Sequence, residues 1–357
     1  MKKVLCGFES MSGKGGISRV ARLISRVIGE EIVEGRLSAS AVVLSDSSPP
    51  PGSPMPVTAV SGSRLPFVIR VNLAIVRYTH FIYDFLGMAR AHGWLPIVHR
   101  PFMSYIHGLE VWPGPWAQAD RIASACRASL LISNTAYTRD RATTLHPTFA
   151  RAKVCWLATE EDTLPPECAK PLGPRRVLIL GRMDSGQYKG HQELIEAWPR
   201  VLAAVPDAVL TIAGTGPALL VFQKLASECG LLPSQIEFRG LVPESKLGEL
   251  WAETTLLAMP SRGEGFGIVY IEAMRHGVPV IASIHDAAPE VNLDGITGYN
   301  VSLDHADELP DRIIHLLRNP TKAAAFGSAG QARWAAHFRY SAFRERFRPL
   351  LAEFLTM

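Results

Sequence analysis

The sequence predicts an α/β protein that contains two parallel sheets. Short apolar runs of β type alternate with helical stretches along the whole chain, which is the pattern of β-α-β units. The 357 residues exceed what a single core usually needs and suit two domains. Hydrophobic residues make up 47% of the chain and charged residues 20%, a composition typical of globular proteins.

A first domain is predicted over residues 1–165. Its strands are expected at Val4–Phe8, Ala41–Leu44, Phe81–Tyr83, Phe102–Ile106, Leu130–Ile132 and Val154–Leu157. Helices are expected between them at Ile17–Ile28, Ala117–Cys126 and Tyr137–Leu145. The proline-rich run Ser47–Pro56 predicts a surface loop, because proline and glycine favour turns over regular elements.

A second domain is predicted over residues 175–330, after a Pro- and Gly-rich linker between Asp162 and Pro174. Its strands are expected at Arg176–Leu180, Val209–Ala213, Ile236–Phe238, Leu256–Ala258 and Val278–Ile281. Its helices are expected at His191–Val205, Pro217–Cys229, Lys246–Trp251, Ile268–His276 and Ala306–Leu317. Residues 331–357 carry aromatics and leucines at roughly helical spacing, so we expect terminal helices that cross back to the first domain.

Charge and cysteine content limit the class of partner. Residues 1–150 carry a net charge of +7 and the remainder −3. The basic half can face the inner side of an anionic membrane or a phosphorylated acceptor, or can bear ordinary surface charge. The sequence contains no basic run interleaved with aromatics, which argues against nucleic acid. Five dispersed cysteines without a CxxC pair predict reduced thiols in a cytoplasmic protein and no zinc site.

The segment Pro260–Met274 carries the most chemical information. Three glycines within five residues follow a predicted strand, and a helix is expected from Ile268, so backbone N–H groups can approach an anion. Glu264 and Glu272 flank this turn at roughly 12 Å if helical spacing holds, which is too far to share one atom. The pattern favours a nucleoside diphosphate sugar, with phosphates in the middle and hydroxyls at both ends.

A second loop, Gly181–His191, follows the predicted strand at 176–180. In an open α/β sheet the loop at the carboxyl end of a strand is the expected ligand site. Arg182 and Lys189 place two cations in this loop. Preorganised cations stabilise the negative charge that develops on a leaving diphosphate, so this loop predicts a phosphate site.

Together these segments resemble the signature of family four retaining glycosyltransferases: Gly181-Arg182, Lys189-Gly190-His191, and Glu264 to Glu272 around Gly265-Phe266-Gly267. The resemblance implies a GT-B fold, in which two Rossmann-like domains face each other across a cleft. The donor is then expected on the C-terminal domain and the acceptor on the N-terminal one. The resemblance also implies that no metal and no cofactor is needed, since the nucleotide sugar is a substrate.

The resemblance implies roles for single residues. Arg182 and Lys189 are expected to bind the diphosphate, Glu264 the donor sugar and Glu272 the ribose. The implied donor-binding set is Gly15, Gly16, Arg182, Lys189, Val242, Glu264, Gly265, Phe266, Gly267 and Glu272; the implied catalytic set is His107, Arg182, Lys189 and Glu264. Val242 lies where the chain of such enzymes runs past the nucleobase of the donor. The glycines and Phe266 would contact the donor through backbone N–H groups.

Two of these predictions have simpler alternatives. Gly15 and Gly16 open a predicted helix after the first strand, and the same pattern serves as a plain helix-entry turn. His107 follows the strand Phe102–Ile106, where the family histidine contacts the donor sugar, but a strand-end histidine can also be structural.

The resemblance therefore implies a retaining, metal-independent transfer of a hexose from GDP-mannose or a UDP-sugar to a glycan or lipid-linked acceptor, as in the mannosyl- and glucosyltransferases of bacterial polysaccharide assembly. A non-catalytic nucleotide-sugar-binding subunit is the first alternative. A nicotinamide oxidoreductase is the second, suggested by Gly214-Thr215-Gly216 but disfavoured because Leu219 stands where a third glycine is expected. We expect a cytoplasmic protein, with peripheral membrane contact left open.

Overall fold

The computed structural model describes residues 1–93, 99–114, 119–166, 175–186 and 188–357. The chain divides into two compact units. The N-terminal unit comprises Met1–Glu160 together with Arg339–Met357, and the C-terminal unit comprises Glu161–Phe338. Much of the expected linker, from residue 167 to 174, lies outside the described residues.

The N-terminal unit contains a parallel sheet of seven strands among the residues described, in the order β3-β2-β1-β4-β5-β6-β7. The strands are β1 (Lys2–Phe8), β2 (Leu37–Val43), β3 (Val57–Ala59), β4 (His80–Tyr83), β5 (Phe102–Ile106), β6 (Leu130–Ser133) and β7 (Lys153–Val154). The central strands are buried apolar runs, as expected of parallel strands that are covered on both faces.

Helices connect these strands. They are α1 (Gly16–Val33), α2 (Arg64–Ala74), α3 (Leu86–Ala89), α4 (Ala119–Arg127), α5 (Ala136–Leu145) and a short 3₁₀ helix (Pro147–Arg151). The start predicted for the helix at 117–126 falls on residues 117 and 118, which are outside the described part. Ser47–Pro56 contains no helix or strand, in agreement with its composition.

The C-terminal unit holds a second parallel sheet, whose described part has six strands in the order β10-β9-β8-β11-β12-β13. The strands are β8 (Arg175–Leu180), β9 (Ala208–Ala213), β10 (Ile236–Gly240), β11 (Thr254–Ala258), β12 (Val280–Ser283) and β13 (Gly298–Val301). The helices of this unit are α6 (His191–Ala204), α7 (Leu219–Glu228), α8 (Glu244–Glu253), α9 (Ile268–Arg275), α10 (Ala288–Val291), α11 (Glu308–Arg318) and α12 (Pro320–His337). The expected α/β fold with two parallel sheets is thus confirmed.

The last helix, α13 (Tyr340–Thr356), belongs to the N-terminal unit. The hydroxyl of Tyr340 donates to Glu30 of α1 at 2.7 Å. The ring of Phe354 is fully buried and meets the ring of His80 edge-on at 5.2 Å. The C-terminal helix therefore packs back on the N-terminal unit as expected, and the chain changes unit between Phe338 and Arg339.

Candidate functional site

The C-terminal sheet reverses its strand order between β8 and β11. In open α/β sheets, ligands bind beside the carboxyl ends of strands at such a switch point. The loops that follow these two neighbouring strands are residues 181–190 and residues 259–267. They contain most of the donor-site residues expected from the sequence, so the fold brings the two sequence motifs to one place.

Several contacts join the two loops directly. The N–H of Arg262 donates to the carbonyl of Tyr188 at 2.7 Å. Gly190 has φ +89°, and a Cβ at this position would lie 2.6 Å from the carbonyl oxygen of Pro260. Only glycine fits both the left-handed conformation and the close approach. The glycine in the Lys189-Gly190-His191 motif is thus explained by packing against the other loop.

Lys189 and Glu264 form an ion pair between the two loops. Their side chains retain only 16% and 15% of their exposure. Burial disfavours the charged form of Lys189, but Glu264, Tyr188 and Asp184 together outweigh this effect and raise the pKa of the ammonium group. Tyr188 adds a ring face 5.1 Å from the ammonium nitrogen. A cation held by an ion pair therefore lies beside the glycine-rich turn.

The glycine-rich turn leads into α9. Gly267 caps the helix with φ +81°, and a Cβ there would lie 2.2 Å from the ring of Tyr270. Phe266 is buried and meets the ring of Phe338 edge-on at 5.9 Å. A ligand can therefore be contacted by the backbone N–H groups at the start of α9, but not by the buried Phe266 ring.

Asp286 is a residue that sequence reasoning missed. It lies just beyond β12 and is 1% exposed. Its Oδ2 accepts the N–H of Glu264 at 3.0 Å, and its Oδ1 accepts the N–H of Ala288 at 2.9 Å. The carbonyl of Glu264 in turn accepts the N–H of Ala287 at 3.1 Å. The backbone of Glu264 is held on both sides, so its carboxylate has a defined position toward Lys189.

Burial raises the pKa of Asp286 to about 7, a shift opposed by the two backbone N–H groups and assisted by the nearby Glu264 carboxylate. No short motif marks this residue, because its partners are backbone groups. The one available signal is its position: an acidic residue close behind a strand of the parallel sheet.

The remaining donor-site residues of the C-terminal unit differ in their exposure and in their contacts. Arg182 is 72% exposed and pairs with Asp184 at 2.8 Å, so its charge is directed to its own loop. Val242 follows β10 and lines a groove of about 600 Å³ together with Leu241 and Lys246. Glu272 lies half-buried in the second turn of α9. Of the two predicted cations, Lys189 thus contacts the glycine-rich loop, through its ion pair with Glu264.

The N-terminal unit places its predicted residues at the carboxyl edge of its own sheet, whose strand order reverses between β1 and β4. Gly15 is the cap of α1 and Gly16 its first residue, and both are exposed. Asp46 orders the preceding loop, since its carboxylate accepts the N–H of Met11 at 2.9 Å and the hydroxyl of Ser10 at 2.5 Å.

His107 follows β5 and is held from several sides. Its Nε2–H donates to the carbonyl of Asp84 at 2.7 Å, which assigns a proton to Nε2. The amide of Asn134 donates to the His107 carbonyl at 3.1 Å. Asp84 is fully buried, accepts the N–H of Glu9 at 2.8 Å, and has a pKa raised well above its usual range by burial. Asp84 thus links His107 to the start of the loop that carries Gly15 and Gly16.

No group of three or more His, Cys, Asp or Glu side chains in the part of the chain that the structure describes could hold a metal ion. Within the same residues, no helix combines the length and the apolar character needed to span a bilayer.

Comparison with known proteins adds to this geometry. The family model "Glycosyl transferases group 1" matches residues 174–319, which form most of the C-terminal unit. The chain thus resembles the GT-B glycosyltransferases of family four. Over 172 residues it is 40% identical to the GDP-mannose-dependent alpha-(1-6)-phosphatidylinositol monomannoside mannosyltransferase of Mycolicibacterium smegmatis, a match that covers 46% of this chain and 44% of that protein. The match therefore spans less than half of that relative.

Solved structures resemble the chain over nearly its whole length. HepE from Anabaena, in complex with UDP and glucose, superposes with a TM-score of 0.80 at 21% identity and covers 99% of this chain and 100% of its own. Sucrose-phosphate synthase from Thermosynechococcus elongatus gives a TM-score of 0.79 at 19% identity, with 100% of both chains covered. These likenesses confirm the GT-B type of fold.

Proposed function

We propose that this protein is a glycosyltransferase that moves a hexose from a nucleotide sugar to a glycan or lipid-linked acceptor. The observation that carries the proposal is the contact between Lys189 and Glu264 beside the glycine-capped start of α9. This arrangement offers a cation and the N-terminal end of a helix to a diphosphate, and a carboxylate to sugar hydroxyls. It lies at the switch point of the C-terminal sheet, where an elongated ligand is expected.

The proposed roles of the site residues follow from the charge that develops during transfer. Cleavage of the bond between the sugar and the diphosphate places negative charge on the leaving group. Lys189 and the N-terminus of α9 stabilise this charge more strongly in the transition state than in the bound donor. Glu264 accepts hydrogen bonds from the donor sugar, and Glu272 from the ribose. Arg182 is proposed to leave its pair with Asp184 and contact the diphosphate, a change open to an exposed side chain.

We propose GDP-mannose as the donor, because the relative that matches the donor-binding half is named as GDP-mannose-dependent. A UDP-sugar is the next candidate, since HepE was solved with UDP and glucose. The same relative is named for transfer to a phosphatidylinositol mannoside, which supports a lipid-linked acceptor. Retention of configuration and independence of metal ions are part of the proposal and rest on the resemblance to family four.

A donor screen tests the proposal. Purified protein is incubated with GDP-mannose, UDP-glucose and UDP-N-acetylglucosamine, with and without EDTA, and release of the nucleotide and of free sugar is measured. We expect slow donor hydrolysis with one donor, unchanged by EDTA, and an α-anomeric product by NMR. Tight donor binding without hydrolysis or transfer would instead identify a non-catalytic donor-binding subunit, and binding of NADH alone would identify an oxidoreductase.

Substitution of Glu272 tests the ribose contact. In Glu272→Ala, we expect the dissociation constant for the donor nucleotide to rise about tenfold or more, because hydrogen bonds to a charged acceptor are lost. Turnover at saturating donor should stay within about threefold of the wild type, since this contact is made equally before and in the transition state. Isothermal titration with GDP and with UDP measures the change.

Glu228→Ala is the matched control, because Glu228 lies exposed on α7 of the same unit. Unchanged affinity of Glu272→Ala for both nucleotides would show that Glu272 does not contact the donor.

A further inference from the structure

Arg22 lies in the second turn of α1 and contacts the segment that precedes this helix, residues 9–15, which we call the β1–α1 loop. Its Nη1 donates to the carbonyl of Met11 at 3.0 Å and to the carbonyl of Gly13 at 2.8 Å. Hydrogen bonds from a charged donor are stronger than those between neutral groups. Arg22 therefore ties two carbonyl groups of the loop to the body of α1.

The N–H groups of the β1–α1 loop have an acceptor of their own. The Asp46 carboxylate accepts the N–H of Met11 at 2.9 Å and the N–H of Ser12 at 3.1 Å. The loop also packs closely on α1, since a Cβ at Gly13 would lie 2.4 Å from the hydroxyl oxygen of the buried Ser18. The loop backbone is thus bonded through both its N–H and its carbonyl groups, which leaves it little freedom.

Arg22 is itself held in place by Glu160. Oε1 of Glu160 accepts the Nε–H of Arg22 at 2.8 Å and lies 2.7 Å from its Nη2. The same oxygen lies 3.6 Å from Nε of Arg19, one turn earlier on α1. Glu160 is the residue at which the chain leaves the N-terminal unit. One edge of the Arg22 guanidinium is therefore fixed by a carboxylate, and Nη1 is directed to the loop.

From these contacts we infer that Arg22 is a positioning residue for the proposed transfer reaction, on which this inference rests. The β1–α1 loop ends at Gly15, which caps α1 at the switch point of the N-terminal sheet, and both Gly15 and Gly16 are exposed. The N–H groups at this helix start can stabilise an anion. Arg22 acts on them through the loop backbone and not through contact with the donor.

The expected effect lies in turnover more than in binding. N–H groups that are already in place stabilise the charge developing on a leaving diphosphate without reorganisation. A loop that moves must be ordered before it can do so, and this cost is greatest where the charge is greatest, in the transition state. Loss of Arg22 should therefore lower the turnover number and leave the binding of the donor nucleotide nearly unchanged.

Amide hydrogen exchange and steady-state kinetics of the full chain test the inference together. In Arg22→Gln, we expect the amides of the β1–α1 loop to exchange at least about tenfold faster, because the loop opens more often. Turnover should fall about tenfold, while the Michaelis constant for the donor and the affinity for GDP stay within about threefold of the wild type. Arg22→Lys keeps the charge opposite Glu160 but lacks the planar fork that also spans the two carbonyl groups. Its melting temperature should be close to that of the wild type, and its turnover close to that of Arg22→Gln.

Arg36→Gln is the matched control, because Arg36 forms ion pairs with Glu31 and Glu34 near the opposite end of α1. It should leave loop exchange and turnover unchanged. Unchanged loop exchange in Arg22→Gln, or faster exchange with wild-type turnover, overturns the inference. Equal losses of melting temperature, GDP affinity and turnover would make Arg22 a structural residue only and overturn it as well. A wild-type protein that neither hydrolyses nor transfers any donor would refute the proposed function and the positioning role with it, an outcome distinct from the others because exchange is measured without turnover.

Discussion

Replacing Lys189 with alanine should lower the turnover of sugar transfer by a factor of about 100 or more. Lys189 is the cation that the fold fixes between the two loops at the switch point, through its pair with Glu264. Removal of the ammonium group leaves the charge of the leaving diphosphate to the start of α9 and to the exposed side chain of Arg182. The loss is felt mainly in the transition state, where the charge on the leaving group is greatest. The Michaelis constant for the donor should therefore change less than the turnover number.

Two further variants separate charge from packing. Lys189→Arg keeps a cation and should recover part of the turnover, although its planar fork does not reproduce the point charge of lysine. Lys224→Ala removes an exposed lysine from α7 of the same unit and should leave turnover unchanged. If Lys189→Ala kept turnover within about threefold of the wild type while its melting temperature fell, Lys189 would be a structural partner of Glu264 and the proposed role would be lost.

The elements that the sequence predicted well are those with a strong physical signal. Phe102–Ile106 is apolar except for Ser104 and is buried on both faces, and its bounds were predicted without error. The strands missed were Val57–Ala59 and Gly298–Val301, which stand at the edges of their sheets. A short edge strand has little apolar pattern to find. Helix α2 was missed for the opposite reason, since apolar residues on both faces remove the period that identifies a helix.

The candidate site likewise contains features that the sequence could predict and features that it could not. The sequence predicted that the loops carrying Lys189 and Glu264 lie together, from their positions after strands of a parallel sheet, but it did not predict the ion pair between the two side chains. The partner of Arg182 was not predictable, because an exposed arginine selects among nearby carboxylates by local geometry. Asp286 was not predictable either, since it acts on backbone N–H groups that carry no residue-specific signal.

Asp286 should make the stability of the protein fall as the pH rises from about 4 to about 7. Its pKa is raised from 3.8 to about 7 by burial in the folded chain. Below about pH 4 the carboxyl group is protonated in both the folded and the unfolded state, so it has no pH-dependent effect. Between these values the unfolded chain loses the proton and the folded chain keeps it, so folding requires proton uptake. Above about pH 7 both states are ionised, and the accumulated cost is at most about 4 kcal/mol of unfolding free energy.

Asp286→Asn removes the titrating carboxyl group. The remaining effect of the substitution on the free energy of unfolding does not depend on pH. The amide places a donor near one of the N–H groups of Glu264 and Ala288, which destabilises the variant equally at every pH. The free energy of unfolding of the variant minus that of the wild type should therefore increase with pH between about 4 and 7 and then level off. Urea denaturation at several pH values measures this difference, with Asp207→Asn as an exposed control whose difference should stay flat. The nearby Glu264 carboxylate helps to raise the pKa of Asp286, so Glu264→Gln should lower the apparent midpoint of the change by removing a neighbouring negative charge. A difference between Asp286→Asn and wild type that does not vary with pH would mean that Asp286 is already ionised at low pH, and that the backbone of Glu264 is held by a permanently charged carboxylate.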